Sequence, residues 1–136
     1  MVNPQFLTLK RRAKELYDTA THISVLNEDA GALLLFYATE CALKAAYLQQ
    51  NNLKTTEDAR ANGKSARSFV HDLVKLAHAL NIPRSVIGSV PKVITNTGDT
   101  GHISDLHQAW RYGVKITDTP AICVWLKKLI EWCSQK

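Results

Sequence analysis

The sequence predicts an all-α fold, an antiparallel bundle of four to five helices forming one domain over residues 1–136. Three observations predict it. Apolar residues recur at steps of three and four over 6–23, 30–48 and 122–133, the spacing that draws one stripe along a helix. Helix-start chemistry precedes each stretch: Asn3-Pro4, Asn27-Glu28-Asp29 and Thr119-Pro120. And 136 residues can bury roughly two thirds of the unfolded surface without a disulfide or structural metal.

The first helix is expected to take Asn3 as cap and to bury Phe6, Leu9, Ala13, Leu16, Ala20 and Ile23 before ending near Leu26. Lys10, Arg11, Lys14 and Asp18 face away. Asn27 caps the second helix, and Glu28 and Asp29 complement the dipole of its first turn. Its inner stripe is Ala30, Leu34, Ala38, Cys41, Ala45 and Leu48, widened by Leu33, Tyr37 and Tyr47. A helix this apolar belongs in the middle of a bundle, packed on two sides, and its small residues allow a neighbour to approach closely. Gln49 to Asn52 read as its frayed end, which makes an antiparallel hairpin with the first helix.

Residues 53–66 form a polar loop with no sustained period. A third helix from Ser68 to Leu80 is expected to bury Phe69, Leu73, Leu76, Ala77 and Leu80 and to stop before Pro83. Residues 82–101, with two prolines and three glycines, read as a long loop with one short helical turn and a weak β-hairpin signal over Val90–Thr95. A short helix follows over Ile103–Tyr112, with Leu106 and Trp110 inward and Gly113 at its end. The last helix has Thr119 as cap and buries Ile122, Leu126, Leu129, Ile130 and Cys133. Trp125 and Trp132 lie on a second face. Large aromatics outside a core stripe suit an interface or a cap on the chain's own core.

Composition narrows the function. Seventeen Lys and Arg against 12 Asp and Glu give a net charge of +5, which fits a solvated basic surface or a nucleic-acid contact without choosing between them. Cys41, Cys123 and Cys133, an odd number in apolar surroundings, suit reduced thiols and a cytoplasmic location. The sequence reads as having neither a signal peptide nor a run of the roughly 20 apolar residues that a membrane span needs, so no membrane is expected.

Familiar chemistry is mostly excluded. Asn62-Gly-Lys-Ser65 has the ending of a phosphate loop, but the leading glycine would fall on Asp58. His71-Asp72 matches a metal-binding pair without the further ligands a metal needs, so no metal or cofactor is expected. Cys123 and Cys133 have neither the spacing nor the setting of a zinc knuckle.

Two strings remain, Phe69-Val-His-Asp-Leu-Val-Lys-Leu76 and Leu106-His-Gln-Ala-Trp-Arg-Tyr112. They are expected to bring His71 and Arg111 into one polar cleft reachable from Glu40 and Lys44, with Tyr112 at its rim. His71 reads as a ligand contact or general base, or as a histidine bonded to a carbonyl or to Glu40. Arg111 reads as a phosphate clamp, or as the partner of Glu40 or Asp72. Lys75 and His78 extend His71 into a weakly basic strip along the third helix.

Together with Tyr37-Ala-Thr-Glu-Cys-Ala-Leu-Lys-Ala-Ala-Tyr-Leu48, these strings resemble the HEPN superfamily of small helical domains. The second helix is similar to its form of an acidic residue, small or apolar residues, then Lys, here Glu40 and Lys44 with Cys41, Ala42 and Leu43 between them. His71-Asp72-Leu73 is similar to its His-Asp-Leu helix start, and Arg111-Tyr112 to its Arg-Tyr pair before the final helix. The resemblance runs from about Leu9 to Trp132. It implies a HEPN-like bundle and ligand-binding residues Glu40, Lys44, His71, Arg111 and Tyr112; a homodimer is expected because two-fold pairing is the commonest closed assembly and exposed indoles would otherwise form an apolar patch. The resemblance also implies a nucleotide, RNA or protein partner, such as a nucleotidyltransferase-like protein in a toxin–antitoxin or defence setting. Ribonucleases of the superfamily carry Arg, a polar residue, then His after four to six intervening residues. Here Arg111 is followed by Tyr-Gly-Val-Lys-Ile-Thr-Asp118, with no histidine downstream. The expectation is therefore a non-catalytic module, the alternative being a metal-independent endoribonuclease with His71 and Arg111 as catalytic residues. The homodimer is expected to use Trp125 and Trp132.

Overall fold

The computed structural model describes residues 2–59 and 63–136. Part of the polar segment 53–66, including the Asn62 that opens the loop-like string, lies outside the described residues. The fold is predominantly helical, with one two-stranded hairpin among the described residues.

Helix α1, Phe6–Leu26, starts later than its sequence signal: Gln5, not Asn3, is the N-cap, and the Pro4 carbonyl accepts from the Thr56 amide at 3.1 Å. The first residues are thus drawn to the polar segment instead of into the helix. Asn27 ends α1 and caps α2, Glu28–Gln50, its side chain accepting from the Ala30 amide at 3.0 Å. The hairpin of α1 and α2 is as expected.

α2 is the hub. α1, α3, α5 and α6 all pack on it, so burial runs around the helix and not along one stripe. Leu35, Phe36, Thr39, Leu43 and Ala46 are buried, while Ala30, Leu34 and Cys41 of the expected stripe are only half-buried. The buried Thr39 hydroxyl donates to the Leu35 carbonyl one turn back at 2.8 Å. By length and composition α2 is apolar enough to cross a bilayer, but most of its apolar stretch is buried inside the chain.

The third expected helix divides. Ala66–Phe69 is a 3-10 turn, and α3 covers only Leu73–Ala79. Two features break it. Val70 has φ +53 and ψ −111, and the Asp72 amide donates to the Phe69 carbonyl at 2.9 Å, closing a tight turn of the kind that places glycine at Val70's position. Asp72 then caps α3, accepting from the Lys75 amide at 3.0 Å. His71 therefore stands in the turn before α3, and the basic strip it was to form with Lys75 and His78 does not exist as one helix face.

Beyond α3 the long loop carries the short α4, Arg84–Ile87, and strands β1, Val93–Ile94, and β2, Thr100–Gly101, paired antiparallel. A 3-10 turn over Ile103–Asp105 leads into α5, Leu106–Arg111. α6, Thr119–Ser134, has Asp118 and not Thr119 at its N-cap position, with Thr119 buried inside the first turn.

Trp125 corrects an expectation. It is 4% exposed within the single chain, and its indole N–H donates to the Ile87 carbonyl at 2.9 Å. It closes the core under α4 and has no surface to offer a partner. Trp132 is half-buried, with the Lys136 ammonium 4.4 Å from its ring centroid.

Candidate functional site

The site is built on one face of α2. Tyr37, Glu40 and Lys44 follow at steps of three and four, which aligns them on one side of a helix. Glu40 and Lys44 are the pair whose order favours a bridge, and the bridge forms at 3.1 Å. Their side chains are only 15% and 14% exposed, so each needs the other: a charge held out of water is costly unless paired.

The Glu40 carboxylate has a second partner. Its Oε1 lies 2.7 Å from His71 Nδ1. The tight turn at Val70 and the Asp72 cap deliver the imidazole to this point, which a continuous helix through Ser68 would not do. Of the two readings for His71, the bond to Glu40 is the one observed. With Nδ1 engaged, Nε2 is the nitrogen left to meet a ligand.

Arg111 pairs with neither Glu40 nor Asp72. From the end of α5 its guanidinium donates to the Tyr37 hydroxyl at 2.7 Å. That bond, with the guanidinium 5.8 Å from the Tyr112 ring centroid, holds an exposed cation in place. The Tyr37 contact is the main reason the arginine's pKa is raised further. Tyr112 itself is exposed.

The residue that sequence reasoning passed over is His107. It precedes Arg111 by one helical turn on α5 and is buried between two rings, Phe36 at 5.8 Å and His71 at 4.0 Å between centroids. Burial, then the neighbouring His71, lower its pKa, and the Ser104 carbonyl only partly offsets this. Its Nδ1 is buried with no well-aligned hydrogen-bond partner, which is uncommon enough to mark a site. The signal was available: His107 and Arg111 share a helix face at a four-residue step, in the same string that singled out Arg111.

The residues thus link as Lys44–Glu40–His71–His107, with Arg111 and Tyr37 completing the patch across α5 and α2. Glu40 is neutralised by Lys44, so Arg111 leaves the patch with a positive balance. Such a surface attracts anions. A planar guanidinium matches phosphate or carboxylate through paired N–H bonds.

The other nucleophile candidates are quiet. Cys41 and Cys133 are pushed up to about 11 and about 12, and Cys123 is raised as well, burial being the first cause in each; thiols in that state are poor nucleophiles. Among the described residues, no three His, Cys, Asp or Glu side chains converge as a metal site would require. The chain matches no protein-family model, no curated protein and no solved structure.

Proposed function

We propose that this chain is a HEPN-like helical module that binds the phosphate of a nucleotide or an RNA strand at the Arg111 face without cleaving it. The observation that carries the reading is Arg111 itself, exposed to solvent yet held by the Tyr37 hydroxyl at 2.7 Å. A fixed, accessible guanidinium loses little freedom on meeting a phosphate. The exposed Tyr112 ring beside it offers a base a stacking surface. The absent histidine downstream of Arg111 speaks against the superfamily's cleavage geometry.

The test is binding of labelled AMP and of a short single-stranded RNA at rising salt. Affinity is expected to fall with salt, because phosphate contacts release counterions, and to drop about tenfold in Arg111→Ala, as loss of a charge-assisted contact implies. An affinity indifferent to both salt and Arg111 refutes the reading and moves the site to a protein partner. Ligand binding here needs no second copy. The homodimer remains a separate proposal, deprived of its Trp125 face and tested by light scattering.

One observation favours a second reading. The carboxylate of Glu40 on His71 Nδ1 is an arrangement that orients an imidazole as general base. In that reading Nε2 takes the proton of a ribose 2′-hydroxyl and the 2′-oxygen bonds to phosphorus. Arg111 stabilises the charge gained by the phosphorane, and the bond to the 5′-oxygen breaks as that oxygen takes a proton from water, leaving a 2′,3′-cyclic phosphate and a free 5′-hydroxyl. RNA cleavage in EDTA, lost in both His71→Ala and Arg111→Ala, would establish this reading over the first.

A further inference from the structure

On the opposite side of α2 from Glu40 and Lys44 lies a groove of about 760 Å³. α1 and α6 each pack against α2, and the space between them is floored by Ala42, Ala45 and Ala46. Those side chains end at Cβ, so the floor is close to the α2 backbone. Phe6 and Tyr17 of α1 form one wall and Ile130 and Cys133 of α6 the other. Leu7, on the rim, is 73% exposed.

We propose that this groove takes an amphipathic helix of a partner protein, its apolar face on the alanine floor and an acidic flank along α1. Length and charge support that occupant. Phe6 to Tyr17 runs eleven helical steps, about 16 Å or three turns, which suits a helix laid in a groove through anchors at i, i+3, i+4 and i+7. The α1 rim carries Lys10, Arg11 and Lys14. Lys14 is answered by Asp18 at 2.8 Å, whereas Lys10 and Arg11 enter no ion pair among the described residues. The α6 side presents Glu131 and, just past the helix end, Lys136, which leave it without net charge. The acidic flank therefore belongs against α1, which sets which way the partner's apolar face is rolled. A second copy fits poorly: two-fold contact pairs a patch with itself and would lay one hollow over another.

The probe is a fluorescent peptide of about fourteen residues, four turns, with leucines at the anchor positions. One version has glutamates along one flank, a second has lysines there. Fluorescence anisotropy should show the glutamate version binding about tenfold more tightly, a difference of ~1.4 kcal/mol. Leu7→Glu should abolish binding, and the double variant Lys10→Glu/Arg11→Glu should reverse the preference between peptides. All three changed residues are exposed, so folding is preserved, and circular dichroism checks that. Three results overturn the proposal: no binding of either peptide, equal affinities, or affinities indifferent to Leu7→Glu. Concentration-dependent self-association abolished by Leu7→Glu would instead assign the groove to a second copy. Arg111→Ala should leave peptide binding unchanged, so the groove stands or falls apart from the phosphate site.

Discussion

Replacing Glu40 by leucine should destabilise the fold, and replacing Lys44 as well should restore most of the loss. Breaking a fully buried ion pair costs ~3–5 kcal/mol, because the surviving charge stays out of water. Here the two side chains keep 15% and 14% of their exposure, and the lysine stem lets the ammonium lean toward solvent, which lowers the cost to about 2 kcal/mol. For a domain of this size that corresponds to a fall in Tm of ~8 °C. Glu40 has one partner more than Lys44: Glu40→Leu strips His71 Nδ1 of its bond as well, so it should cost more than Lys44→Leu. The double replacement leaves no unpaired charge and refills the space with apolar volume, so the two single losses should not add. A double-mutant cycle by urea unfolding should return a coupling of at least ~1 kcal/mol. Additivity within ~0.5 kcal/mol would refute the claim that these side chains depend on each other, and with it the electrostatic account of the site.

Trp125→Ala should cost about 3–5 kcal/mol, from the emptied indole volume and the lost bond to the Ile87 carbonyl; Trp125→Glu should fail to fold, and a folded, well-behaved Trp125→Glu would contradict its internal placement. Val70→Gly should stabilise by about 1 kcal/mol, since a β-branched residue at φ +53 is strained and its exposed side chain packs on little; a loss in urea midpoint would refute the turn. His107 has its pKa lowered below the usual 6.5, so below about pH 6.5 the unfolded chain binds the extra proton first. Stability from this residue is full above 6.5 and lost as pH falls toward the folded value. Melting from pH 8 to 5 should show that loss, and His107→Phe, which keeps a ring between Phe36 and His71, should weaken it; an identical acid slope in the variant would refute the assignment.

The sequence by itself determined the helical class, the α1–α2 hairpin and the Asn27 cap, because these depend on local spacing and on side chains bonding to their own backbone. It also selected Glu40, Lys44, His71 and Arg111, since charged or titratable residues among apolar neighbours are conspicuous in any chain. The break at Val70 was hidden. Phe69 to Leu80 keeps a helical period, and only the demand that His71 reach Glu40 while Asp72 caps α3 favours the turn. Trp125 misled for a related reason: a residue off the main stripe faces away only if nothing covers that side, and here the distant α4 does. His107 shared a helix face with Arg111 in the sequence, but its burial and its stacking on His71 belong to contacts between elements far apart in the chain and were decided only when α5 crossed α2. Periodicity states which face of a helix is apolar. Tertiary packing decides how many neighbours that helix has, and therefore which of its other faces become core and which become a site.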